Sequence, residues 1–149
     1  MQIWDTAGQE KYHSLGIGFY KGSESCALVF DITNTKSFET VTNWREEFLI
    51  QANPPNPNAF PFVLIGNKVD KEAERKVTTN RAQQWCKMNG DIPYFEASAK
   101  DNLNVKELFE QLARDGLKNS KTSEGISEPS GVAHIRISDK EKAKTGCSC

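Results

Sequence analysis

Phe62-Val63-Leu64-Ile65-Gly66-Asn67-Lys68-Val69-Asp70 decides the fold. Four apolar residues in succession, ended by a glycine, read as a strand buried on both faces, the habit of a parallel sheet. A polar cluster, Asn67 to Asp70, stands at its carboxyl end. Working outward, the same arrangement recurs. Upstream, Cys26-Ala-Leu-Val-Phe-Asp-Ile32 is a second continuous apolar run, also expected to be buried on both faces. Downstream, Tyr94-Phe95 begins a third strand, and Glu96-Ala97-Ser98-Ala99-Lys100 forms its end and loop. Near the start, Gln2-Ile3 reads as the close of a strand that opens into Trp4-Asp5-Thr6-Ala7-Gly8-Gln9-Glu10.

Helical stretches separate the strands. In 37–51, Phe38, Val41, Trp44, Phe48 and Leu49 recur at helical spacing, with Thr33 to Thr35 as caps and Asn53-Pro-Pro-Asn-Pro-Asn58 as the stop. Residues 71–76 read as a charged loop. Residues 79–89 read as a helix burying Ala82, Trp85 and Cys86, halted at Asn89-Gly90-Asp91. Asn104 can cap a last helix with Val105, Leu108, Phe109, Leu112 and Ala113 on one face. Strands alternating with crossover helices predict an α/β fold, a doubly wound, mostly parallel sheet. Ligands in such sheets bind beyond the carboxyl ends of the strands, where the clusters around Asp5, Asn67 and Ser98 all lie.

Composition fits one ordinary globular domain: 149 residues, 37% hydrophobic and 26% charged, with a formal net charge of −1. That balance gives no basic footprint for nucleic acid. No apolar run approaches the ~18 residues a membrane span needs, and no leader is read before Met1. Cys26 and Cys86 read as buried free thiols of a cytosolic chain.

Each cluster suggests a chemistry. Asp70 can accept two parallel hydrogen bonds from a donor–donor edge such as guanine N1–H and its 2-amino group. Adenine has no such edge and would leave the acid unpaired, which disfavours an adenine-specific enzyme. Asn67 can bond the ring N7 or tie neighbouring loops, and the stem of Lys68 can cover the base. Ser98-Ala99-Lys100 offers a backbone N–H to the base carbonyl and a second lysine stem. Asp5 can hold Mg²⁺ through water, Gly8 lets a backbone N–H approach a phosphate, and Gln9 can orient a water. In residues 11–22 a glycine-punctuated loop carries Tyr12, Phe19 and Tyr20, which with Trp4 either cover the core or form an apolar binding patch. His13 reads as a loop histidine without a catalytic role.

Taken together, WDTAGQE, GNKVD and EASAK resemble the third, fourth and fifth nucleotide motifs of the Ras superfamily. The chain is similar to its Rab family, and resembles most the late-endosomal Rab-seven branch, with the Rab-nine branch as near neighbour. MQIWDTAGQEKYHSLGIGFYKG (1–22), NWREEFLIQA (43–52), FPFVLIGNK (60–68) and IPYFEASAK (92–100) carry the likeness. Lys11-Tyr12 stands where Arg-Phe is usual, a change that bears on partner affinity. The resemblance implies a Ras-like P-loop GTPase fold over 1–117. It implies GTP or GDP bound with Mg²⁺, with Asp5 on the metal through water, Gly8 on the γ-phosphate and Gln9 serving hydrolysis. Asn67, Lys68, Asp70, Ser98, Ala99 and Lys100 would hold guanine. Residues 9–22 would form the second switch, with Trp4 and Phe19 on the effector surface. Implied partners are an exchange factor, a GTPase-activating protein, tethering effectors, GDP dissociation inhibitor, and the Rab escort protein with its prenyltransferase. The implied role is vesicle traffic to late endosome and lysosome or vacuole, on their cytoplasmic face, with a cytosolic pool.

Residues 118–149 are Ser-, Gly- and Lys-rich, with six basic side chains against four acidic ones, and read as a disordered tail. Ile135-Arg136-Ile137 is its one apolar feature, by resemblance the motif held by the escort machinery. Cys147-Ser148-Cys149 is no C-a-a-X box. It resembles the Cys-x-Cys ending that takes two geranylgeranyl groups, the number stable anchoring requires.

No G-x-x-x-x-G-K-[ST] stretch occurs in the 149 residues. Against the family pattern the first strand, P-loop, first helix, first switch and second strand are not found, on the order of 60 residues. Two expectations follow. Either the sequence is an N-terminally truncated record of a Rab GTPase, or a non-catalytic product starts at Met1 and acts only as a membrane-anchored interaction fragment. Reading the coding sequence upstream of Met1 separates them. The 149 residues alone are expected to hydrolyse no GTP and to bind GDP weakly or not at all, and, if folded, to be poorly stable and aggregation-prone, with unprotected sheet edges where the first strand is not found.

Overall fold

The structure, a computed structural model, describes residues 2–6 and 20–124. Gly8, Gln9, Lys11, Tyr12, His13, Phe19, the Ile135–Ile137 trio, Cys147 and Cys149 lie outside the described residues. Three strands, β1 (Cys26–Asp31), β2 (Phe62–Asn67) and β3 (Tyr94–Ala97), form a sheet in the order β1-β2-β3. Both pairings are parallel. Four α-helices connect or follow them: α1 (Thr35–Glu39), α2 (Val41–Ala52), α3 (Thr79–Met88) and α4 (Val105–Glu124). Short 3₁₀ turns occupy Pro57–Ala59 and Val69–Glu74.

The sheet is wound on both faces. On one, Leu28, Phe30, Ile32, Phe62 and Leu64 pack with Phe38, Val41 and Phe48 of α1 and α2 and with Ala82, Trp85 and Cys86 of α3. Trp85 Nε1 donates to Thr42 Oγ1 at 3.0 Å, so α3 is tied to α2 without leaving the indole N–H unpaired. On the other face, Val63, Ile65 and Ala97 meet Leu108 and Leu112 of α4. Register sets the rim: Asp31 lies beside Asn67, and Asn67 beside Ala97.

The structure differs from the sequence reading in five places. Among the described residues only the central strand β2 is buried on both faces; on β1, Ala27 and Val29 are exposed. Burial on the second face needs a covering layer, and α4 covers β2 rather than β1. Residues 2–6 form no strand, and Ile3 and Trp4 are exposed, since no strand among the described residues pairs with them. The helix read over 37–51 is two helices parted at Thr40; its cap does fall within 33–35 as read, at Asn34, whose Oδ1 accepts from Lys36 N at 3.0 Å. Residues read as a charged loop coil into the Val69–Glu74 turn. Finally, α4 runs past 118 to Glu124. Nothing in 118–124 breaks a helix, and Asn119 Nδ2 anchors it on Glu24 O at 3.1 Å.

Candidate functional site

The carboxyl ends of three parallel strands meet in one rim, and each ends in a polar residue or loop. Asn67 closes β2. Its Oδ1 accepts from Lys68 N at 2.8 Å and from Ala99 N at 3.2 Å. One amide oxygen thereby ties the loop after β2 to the loop after β3, the second of the two roles open to Asn67 from sequence.

Lys68 follows with φ +72, a left-handed backbone that side-chained residues adopt at a cost. The chain turns there into the 3₁₀ segment that carries Asp70. Asp70 Oδ1 accepts from the Ser98 hydroxyl at 2.7 Å, and Oδ2 carries no hydrogen bond among the described residues. Ser98 is buried, and its oxygen in turn accepts from Asp101 N at 3.0 Å. A backbone bridge between Ser98 and Leu103 shapes this loop, with bonds of 3.2 and 3.0 Å. Ala99 and Lys100 stand exposed on it. Asn104 precedes α4 as expected, and its Nδ2 donates to Glu96 O at 2.7 Å, pinning the helix to β3.

Two supports of the rim escaped the sequence reading. Asp31 closes β1; its Oδ2 pairs with Lys68 Nζ at 2.6 Å, while its Oδ1 accepts from Thr33 N at 2.8 Å and Thr33 Oγ1 at 2.7 Å. Partial burial pushes its carboxyl up, but the Lys68 ammonium and Thr33 outweigh this and hold it below the usual range. Beneath β3, Glu96 accepts from Arg75 Nη1 and Nη2, both at 2.9 Å, from Thr79 Oγ1 at 2.7 Å and from Tyr94 Oη at 2.9 Å. Arg75 also grips Glu72 within the 3₁₀ turn, at 2.6 and 2.7 Å. A bidentate guanidinium thus fixes the Asp70-bearing turn against β3. The signal was present: each acid ends or interrupts an apolar strand, where a charge needs a partner.

The predicted clusters do not all come together. Asn67, Lys68, Asp70, Ser98, Ala99 and Lys100 share the rim. Asp5 lies with Gln2, Ile3, Trp4 and Thr6 along a separate cleft of about 1040 Å³. That cleft runs beside Ala27, Val29, Phe109 and Leu112, and no residue from 67 to 70 or 98 to 100 lines it.

The rim thus presents a carboxylate held by a buried hydroxyl, with Lys68 on the same loop and Lys100 exposed on the neighbouring one. A divalent metal is a different matter. Among the described residues no group of three or more His, Cys, Asp or Glu could hold a metal ion, whereas a Mg²⁺ carried on substrate phosphates needs only one or two carboxylates, for which Asp5 is the candidate read from sequence. No helix among the described residues is long and apolar enough to cross a membrane.

Comparison with known proteins agrees with the geometry. Residues 1–118 match the model of the Ras family. The whole chain is 49% identical to the Ypt/Rab-type GTPase ypt7 of Schizosaccharomyces pombe and spans 72% of that protein. It is 50% identical to the Ras-related protein Rab-7a of Paramecium octaurelia, again over the whole chain and 72% of the relative. The Ras-related protein Rab7 of Pisum sativum is 48% identical with the same coverage. These likenesses lend no support to the reading as a non-catalytic fragment.

Proposed function

This chain belongs to the Ras family, in its Rab7 branch, and from that premise we propose that it is a guanine-nucleotide switch of membrane traffic to the late endosome, lysosome or vacuole. The observation that carries the proposal is the Asn67–Asp70–Ser98 constellation on adjacent strand ends. The Ser98 hydroxyl holds Oδ1 of Asp70, so the carboxylate enters binding already oriented. Guanine would present N1–H and its 2-amino group to that acid. Adenine would leave a carboxylate unpaired, a difference of about 1–3 kcal/mol or more. The stems of Lys68 and Lys100 would lie on the faces of the ring.

The remaining roles follow from membership and are part of the same proposal. Bound GTP with Mg²⁺ would supply the phosphoanhydride whose cleavage resets a switch. Asp5 would face the metal through water, Gly8 the γ-phosphate and Gln9 the attacking water. Trp4 and Phe19 would meet tethering effectors. Cys147 and Cys149 would carry geranylgeranyl groups added with the escort protein and prenyltransferase. GDP dissociation inhibitor, an exchange factor and a GTPase-activating protein would set the cycle. Residues 1–117 would form the nucleotide domain and the rest a tail.

Amide NMR of the 149-residue chain titrated with GDP, ADP and XDP tests the base site even at weak affinity. GDP is expected to shift Asn67, Ser98 and Ala99 at concentrations where ADP does not. Asp70→Asn should move the preference from GDP to XDP by at least tenfold. ADP binding as tightly as GDP, or an unchanged preference in Asp70→Asn, would overturn the reading.

A further inference from the structure

Lys68 is a long, half-exposed side chain held at both ends. At its root the backbone is left-handed, φ +72, with its N–H on Asn67 Oδ1 at 2.8 Å. At its tip the ammonium meets Asp31 Oδ2 at 2.6 Å. Asp31 is not free to follow a wandering lysine. Its other oxygen is fixed by the amide and hydroxyl of Thr33, and only a fifth of the side chain is exposed. Register places Asp31 directly across from Asn67, so the lysine stem bridges the ends of β1 and β2.

We propose that Asp31 is a positioning residue of the base site: it holds Lys68 as a pre-ordered bar across the rim, ready to receive one face of the purine. A free lysine loses rotamer freedom when it is ordered. A lysine already ordered in the free protein does not charge that loss to binding. Asp31 therefore governs affinity, while Asp70 governs which base is taken. The inference rests on the guanine reading.

The test is a double-mutant cycle of Asp31→Asn and Lys68→Met on the 149-residue chain, with GDP as the probe and amide NMR as the readout. Methionine keeps a linear apolar stem without the ammonium. Asp31→Asn is expected to weaken GDP roughly three- to ten-fold, with the GDP-over-ADP preference intact. In the Lys68→Met background the same change should add less than about twofold, because its effect runs through the lysine. In the free protein, the Lys68 side-chain NMR order should fall in Asp31→Asn to that of an exposed lysine. Equal losses in both backgrounds, no loss of affinity, or an unchanged Lys68 order would overturn the inference. Those outcomes leave the guanine reading standing when wild type still prefers GDP. A wild-type chain with no such preference sinks the reading, and this inference with it.

Discussion

At the scale of single residues, Glu96 is the side chain on which most of the rim's support converges. It accepts four hydrogen bonds while only a quarter of its side chain is exposed. Burial pushes its carboxyl up, yet Arg75, Thr79 and Tyr94 together hold it below the ordinary glutamate range. Asp31 is lowered for the same kind of reason. A carboxyl whose folded pKa lies below its unfolded value binds fewer protons when folded. Its stabilisation is complete above the unfolded pKa and is lost as pH falls through the folded one. Thermal unfolding between pH 6 and pH 3 should therefore show a falling Tm, and Glu96→Gln should flatten that slope. Arg75→Met should cost about 1–2 kcal/mol at pH 7 by stripping partners from a part-buried acid; an unchanged urea midpoint would contradict this. The rim's direct residues were legible in sequence because each follows a strand and is polar for no packing reason. Asp31 and Glu96 were not singled out, because their partners lie 37 and 21 positions away, a separation only the parallel register closes.

At the scale of elements, β2 is the axis, and Gly66 shows how tightly it is packed. A Cβ built there would stand 2.7 Å from Tyr94 Oη and 3.1 Å from Ile32 Cγ2 and Phe30 Cζ. Gly66→Ala must therefore push Tyr94 off its bond to Glu96. Overpacking of this kind costs about 1–3 kcal/mol. Adding Tyr94→Phe, which removes the obstructing oxygen, should recover part of the loss in denaturant unfolding. A double variant less stable by the sum of the single losses would show that the clash lies with Phe30 and Ile32 instead. β2, β3 and α3 were legible because run length and periodicity suffice to mark them. The break between α1 and α2 was not. Phe38, Val41 and Phe48 keep one apolar face on both sides of Thr40, so periodicity runs across the joint. There Thr40 Oγ1 turns back to Ser37 O at 3.1 Å. The Val69–Glu74 turn was equally hidden, since a 3₁₀ segment without apolar spacing has the composition of a loop.

At the scale of the whole molecule, the two faces of the sheet are unequal. Three helices cover one; on the other, α4 covers β2 and leaves Ala27 and Val29 of β1 open, with Val29 56% exposed. Among the described residues β1 also pairs with β2 alone, so there its outer edge offers unpaired backbone groups. The open edge follows from the first strand not found in the sequence, but the exposed face was not legible in Cys26–Ile32, because an apolar run records only that a strand suits burial; which face is buried depends on what packs there. An apolar face beside an open strand edge favours pairing between copies of the chain. The 149-residue protein is thus expected to self-associate as its concentration rises, and sedimentation velocity over a hundredfold range checks it. Val29→Lys places a charge at a position that is already more than half exposed, so it should raise the monomer fraction several-fold while leaving the unfolding midpoint within about 0.5 kcal/mol. Association that is unchanged by Val29→Lys would mean the contact forms elsewhere, with exposed Ile3 or Leu117 as the next residues to change.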